Sequence, residues 1–381
     1  MARKQSIVSP ENQPVTYVEL FFDLVFVFSV TQVVGLLHDG ITARAVGQSI
    51  LVFWLVWWAW TQLTWTLNAA NTMHAFVELG TLLATAVAFF MAVALPVAFE
   101  GRGLWFAAPY VIVRAIGLAI HGRVAHAADP AQHAAVRIFR LVSTAGLTAV
   151  LLGAWLGGDA QYGVWGLAIL LDVAAAAIAG RLEGWNLHAA HFVERHALFV
   201  IIALGESLIV TAAGVSGGTW TTELMVVATL AVGVTCALWW SYFTRAKPEL
   251  EHALEHTSGA VQSTMARDVF SLLHFPMLCG VIAYGAAIAE IVLHPHEPLA
   301  FEWRGALALG LVLFVGGIAL ATWRASQHLL GGRLVVIGLT KAAILALADV
   351  HPALSLGIAF LGVAAVCVFE QWTAPAVEAA S

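Results

Sequence analysis

The sequence predicts an all-α protein, a polytopic transmembrane helix bundle of about twelve spans. Three observations predict it. Of 381 residues, 61% are hydrophobic and only 10% are charged, where an ordinary soluble domain carries roughly 25% charged residues. The apolar residues fall into runs close to the roughly 20 residues a helix needs to cross the hydrocarbon core. Lys and Arg gather in every second connecting segment. One water-excluding core could not hide this much apolar surface, and a bilayer supplies the missing solvent. The expected partner is therefore the lipid bilayer. A formal charge of −6 gives no ground for a nucleic-acid partner.

The elements follow in order. Met1–Pro14 is short and polar. The run after it contains Glu19 and Asp23 and lacks a small-residue cleavage pattern, so it reads as a retained span and not a signal peptide. Spans are expected at 17–38, 45–67, 73–98, 103–121, 138–157, 162–180, 197–216, 221–243, 268–293, 303–322, 333–349 and 352–371. Runs of this length have to be helices, because lipid offers backbone groups no hydrogen-bond partners. The alternating ten-residue segments of a β-barrel are absent. The eleventh span is short, and only Asp349 to Pro352 separates it from the twelfth. The longest polar stretch, Arg245–Arg267, reads as a short amphipathic cytoplasmic helix in which Glu251, His252, Glu255 and His256 are i,i+4 neighbours. Cys236, Cys279 and Cys367 lie inside apolar runs with no CxxC spacing, so no disulfide framework is implied.

Orientation follows from the cations. With the N-terminus inside, the inner segments hold Arg3, Lys4, Arg123, Arg137, Arg140, Arg181, Arg195, Arg245, Lys247, Arg267, Arg324 and Arg333, and the outer ones hold Arg44, Arg102 and Arg304. Both termini are then cytoplasmic and the span number is even. The seventh span opens like the first: Tyr17-Val18-Glu19 is echoed by Phe192-Val193-Glu194, and Trp57-Trp58 by Trp239-Trp240 in the following spans. Six spans per half would make a parallel repeat. The expected organisation is a cytoplasmic tail over 1–16, six-span halves over 17–181 and 182–371, and a cytoplasmic tail over 372–381.

Ionisable groups inside hydrocarbon cost at least about 2.5–3.5 kcal/mol unless paired or hydrated, which makes them functional candidates. Arg114, Asp172, Glu206 and Lys341 stand near mid-span and could neutralise one another. Glu206 follows Gly205, which admits a close backbone, and precedes Ser207, a ready hydrogen-bonding partner. It could carry a proton or bind a cation, with Arg114 or Lys341 as its counter-charge. Glu19 and Asp23 share one helix face, about 6 Å apart in depth. Glu78, with His74 one turn before it, enters the third span at a similar level. These acids could line an inner path, and Glu19 could equally serve the positive end of its helix. His188, His191, Glu194 and His196 cluster in one inner segment with partial metal-ligand spacing, but without HExxH or nearby cysteines the pattern is weak. A structural loop is the simpler reading, and no metal or cofactor is expected. No nucleophile elbow is present, and the absence of a Gly-rich phosphate loop argues against ATP-driven transport by this chain alone.

Val18-Glu19-Leu20-Phe21-Phe22-Asp23-Leu24-Val25-Phe26-Val27-Phe28 resembles the opening motif of the bacterial low temperature requirement A family. Phe192-Val193-Glu194-Arg195-His196, running into Ile201-Ile202-Ala203-Leu204-Gly205-Glu206-Ser207, resembles that family's second hallmark. The tryptophan-rich second span, with Asn68 and His74 after it, fits as well. The resemblance implies a multi-spanning bacterial membrane protein, named for a growth phenotype in the cold, with no substrate or reaction attached. It marks Glu19, Asp23, Glu194, Arg195 and Glu206 as motif positions.

The leading functional expectation is a secondary transporter of a small solute or ion, coupled to protons, with no catalytic residues. An intramembrane enzyme acting on a hydrophobic substrate, and a non-catalytic stress-related sensor or assembly protein, are the alternatives. A homo-oligomer stays open.

Overall fold

The computed structural model describes residues 6–11, 13–128, 130–182, 185 and 187–373. Parts of both expected tails, Arg3 and Lys4 among them, lie outside the described residues. The described chain is helical throughout: α1 (Tyr17–Gly35), α2 (Ala43–Ala69), α3 (Ala75–Val93), α4 (Gly103–Ala128), α5 (Pro130–Leu156), α6 (Gly158–Ala179), α7 (Ala189–Gly217), α8 (Thr222–Ser241), α9 (Lys247–Glu255), α10 (Gly259–Ala266), α11 (His274–Leu293), α12 (Phe301–Ser326), α13 (Gly331–Ala346) and α14 (Pro352–Thr373). Among the described residues, eleven helical segments are long and apolar enough to cross a membrane. The expected span missing from these is the eleventh, at 333–349, which corresponds to α13. At 16 residues it is about 24 Å long, short of a hydrocarbon core of about 30 Å.

The polar stretch Arg245–Arg267 is not the separate helix that its charge pattern suggested. α8 runs through a π-helical segment, Tyr242–Ala246, into α9, and α10 runs through a second, Arg267–Leu273, into α11. The apolar helix of 34 residues so formed over Thr222–Glu255 is about 51 Å long, so its polar end must project beyond the hydrocarbon. A break comes only at the Thr257-Ser258-Gly259 turn, where Gly259 adopts φ +60°, a conformation that suits a residue without Cβ. Each π segment ends shortly before a proline, Pro248 or Pro276. A proline removes one ladder hydrogen bond and crowds the carbonyl four residues earlier, and a widened turn relieves both.

The chain forms two compact units. One gathers Met1–Leu37, Thr42–Ile202 and Glu251–Leu272; the other gathers His38–Ile41, Ala203–Leu250 and Leu273–Ser381. In the first, α2 is buried along most of its length and packs against α1, α4 and α6. Ile7, Ser9 and Gln13 are pinned to the end of α2: Asn71 N–H donates to Ile7 O at 2.9 Å, Ser9 N–H to Ala69 O at 3.0 Å, and Gln13 Nε2 to Ala70 O at 3.2 Å. In the second unit, α11 lies so close to α12 that a Cβ on Gly280 would meet Gly310 O at 2.6 Å. Leu79, Phe90, Leu170 and Leu361 point outward, more than 60% exposed. Such side chains on membrane-crossing helices are in contact with lipid.

Candidate functional site

The first turn of α1 is built around Glu19. Its Oε2 accepts from both the backbone N–H of Thr16 (2.9 Å) and the Thr16 hydroxyl (2.8 Å), a reciprocal cap that satisfies donors the helix start would leave bare. Its Oε1 accepts from Arg195 Nη1 at 2.7 Å. One turn on, Asp23 Oδ1 accepts from Arg195 Nη2 at 2.7 Å and from Trp60 Nε1 at 2.8 Å. Glu19 and Arg195 are fully buried and Asp23 is 2% exposed. The two motif segments, far apart in sequence, thus close on one guanidinium, which also lies over the Trp60 ring at 5.8 Å. Asp23 Oδ2 has no hydrogen bond among the described residues.

A second layer orients His191. Asn68 Oδ1 accepts the N–H of His188 at 3.0 Å, and Asn68 Nδ2 donates to the carbonyl of His188 at 2.9 Å. These two bonds fix the amide's orientation. The same Nδ2 sits 3.1 Å from His191 Nδ1, which must then be an acceptor. A ring proton then falls on Nε2, which lies 3.1 Å from Glu19 Oε1. Two buried carboxylates, Glu19 and Asp23, thus share the one guanidinium of Arg195. His188 itself lies just before α7. Burial, and next the neighbouring His191, hold its pKa below the ordinary histidine value, against the pull of Glu11.

A third group joins α2, α4 and α6. Arg114 donates to both oxygens of Asp172 (3.2 and 2.9 Å), to the Tyr110 hydroxyl (2.6 Å) and to Gln62 Oε1 (2.7 Å). It is a closed, charge-neutral pair with bidentate geometry. In the second unit, Arg333 donates to both oxygens of Glu370 at 2.6 and 2.5 Å.

The remaining candidates are dispersed. Glu206 and Ser207 are buried at 2% and 1% exposure, and the Ser207 carbonyl accepts from Thr211 Oγ1 at 2.7 Å. Lys341, Glu78 and Glu194 are exposed. His74 caps α3, its Nδ1 accepting from Phe76 N–H at 3.2 Å. His196 bonds the Phe192 carbonyl through Nδ1 and packs edge-on against Trp57 and Trp60. His188, His191, Glu194 and His196 therefore face different surroundings, and among the described residues no three such side chains are grouped to hold a metal. Sequence reasoning did not single out Trp60, Tyr110, Gln62 or Glu370. Glu370 had a readable signal: with Arg333, it marks the two ends that meet when adjacent spans fold as a hairpin.

Fold and site together define a polytopic helical membrane protein with buried acid–base networks. The model of the family "Bacterial low temperature requirement A protein (LtrA)" matches residues 14–369, and the chain belongs to that family. It is 28% identical over 315 residues to a protein of Rhizobium meliloti (strain 1021) described as uncharacterized, covering 79% of this chain and 75% of that one. No solved structure matches the chain.

Proposed function

We propose that the protein is a proton-coupled secondary transporter of a small solute or ion. The observation that carries this reading is that two buried carboxylates share one guanidinium at Arg195. Glu19 is fully engaged, whereas Asp23 keeps a second oxygen with no hydrogen bond among the described residues. A buried carboxylate with an unengaged oxygen can take up and release a proton or cation as its surroundings change. Glu206 serves as a second proton or ion site in this reading. Arg114–Asp172 is a fixed brace, since each partner already satisfies the other. Lys341, Glu78, His74, Ser207 and Glu194 have secondary roles.

The inner-membrane location, cytoplasmic termini and six-plus-six organisation over 17–181 and 182–371 belong to the same proposal. The alternation of Lys and Arg and the echo between the first and seventh spans support them.

The test is proton flux into sealed proteoliposomes, read with an internal pH dye across a panel of solutes and ions. Wild-type protein is expected to show solute-dependent flux that Asp23→Asn abolishes and Glu206→Gln reduces. Folded wild-type protein without flux across a broad panel, or full flux in both variants, overturns the reading.

A further inference from the structure

Beside the carboxylate network, and independent of it, the first unit contains a cavity of about 50 Å³. Trp58, Thr61, Gln62, Trp65, His121 and Trp185 contribute to its wall, and Arg267 stands at its edge. Thr61, Gln62 and His121 are 2%, 4% and 1% exposed. Trp65, Trp185 and Arg267 are half-buried. The cavity thus has a deep polar floor and an aromatic mouth.

The floor is unfinished as protein structure. Gln62 Nε2, Thr61 Oγ1 and both ring nitrogens of His121 have no hydrogen bond among the described residues. Buried polar atoms are rarely left so, because each costs its full desolvation. The Gln62 amide cannot turn to relieve this, since its Oε1 is held by Arg114 Nε at 2.7 Å. Thr66, Thr81, Thr85 and Thr235 each give their hydroxyl to the carbonyl four residues back, and Thr61 does not.

Shape and charge define what would complete it. The walls are flat rings: Trp185 meets Trp65 edge-on at 5.6 Å and His121 at 5.7 Å. The lining residues include no carboxylate to receive a cation. Arg267 is the one arginine among them, and Asp268 already holds it at 2.6 Å, so the lining offers an anion no free counter-charge. The occupant is therefore uncharged and planar. On the same volume measure one water takes about 10–15 Å³, so the cavity has room for roughly four non-hydrogen atoms. The floor offers N–H and O–H donors from Gln62 and Thr61, and His121 adds one donor and one acceptor when neutral. Its complement carries a carbonyl oxygen and an N–H in one plane.

We propose that this cavity is a binding site for a small uncharged amide, of the size and chemistry of acetamide or urea, with Thr61, Gln62 and His121 as its hydrogen-bonding floor. The inference does not rest on the transport reading, and binding would stand even if proton flux failed.

The test uses the full chain in lipid nanodiscs, titrated with acetamide and followed by ligand-detected saturation-transfer NMR. Saturable binding is expected in the millimolar range, since so few atoms cannot reach much below tens of micromolar. Thr61→Val and His121→Phe keep volume and remove the polar atoms. Each is expected to weaken binding about 5–10-fold. Monodisperse behaviour on gel filtration establishes that each variant is folded, and either one suffices for the comparison. Xenon serves as a probe of the same size without hydrogen bonds. Absence of saturable acetamide binding, unchanged affinity in folded variants, or wild-type protein that takes xenon but not acetamide would each overturn the proposal.

Discussion

Asp23 and Arg195 meet through one oxygen: Arg195 Nη2 lies 2.7 Å from Asp23 Oδ1, while Oδ2 of the same carboxylate accepts no hydrogen bond among the described residues. Glu19 differs, because its two oxygens serve the helix cap and the guanidinium. Two acids one turn apart on α1 are therefore unequally engaged, one through both oxygens and one with an oxygen to spare.

That inequality predicts opposite responses to mutation. Asp23→Asn keeps an acceptor for Trp60 and Arg195 and removes the carboxylate charge. Its stability in detergent should lie within about 1 kcal/mol of wild type. Arg195→Met strands two buried carboxylates and should cost about 3–5 kcal/mol. Reversible SDS unfolding measures both, and equal losses would refute the proposed inequality.

Arg114 and Asp172 should behave as a brace. Arg114→Met alone leaves a buried carboxylate and should destabilise by about 3–5 kcal/mol. The double variant Arg114→Met with Asp172→Leu should recover most of that loss, and its proton flux should persist. A double variant no better than the single one would show that the two residues do not act as a pair.

Asn68 should control the tautomer of His191. In Asn68→Asp, a carboxylate faces Nδ1, so that nitrogen should carry a ring proton and donate it in a hydrogen bond. The ¹⁵N shifts of the His191 ring report this directly. The same change removes the donor to the His188 carbonyl, for a cost of about 1–3 kcal/mol. Unaltered ring shifts would mean that Asn68 does not set the proton position.

His188 carries a pH dependence of known sign. Its folded pKa is held below the ordinary value by burial and by His191, so the unfolded chain binds its proton first. The contribution to stability is complete above about pH 6.5, the unfolded value, and is lost as pH falls through the lower folded value. Melting temperature should therefore drop on acidification from pH 7, and His188→Asn should flatten that slope. A wild-type slope unchanged in the variant would assign the dependence to other groups.

The capping role and the network role of Glu19 are both legible in part in the sequence. Thr16-x-x-Glu19 is a capping pattern, and the cost of charge in hydrocarbon is enough to single out Glu19, Asp23, Arg114, Asp172 and Glu206. Their partners are not legible. Arg114 could as well have met Glu206, and Arg195, though a motif position, is placed by the charge pattern only among the inner cations.

What the sequence determined by itself is the class of protein and its helices. Lipid forces each long apolar run to satisfy its own backbone, so length and composition are enough. The arrangement around α2 was decided only by tertiary structure. Arg195 reaches Glu19 across 176 positions, and Trp60 and Asn68 complete the network from a third helix. Hydropathy records how often the chain crosses a bilayer but carries no term for which helices become neighbours. Side-chain packing sets that order, and with it the choice of which acid meets which base.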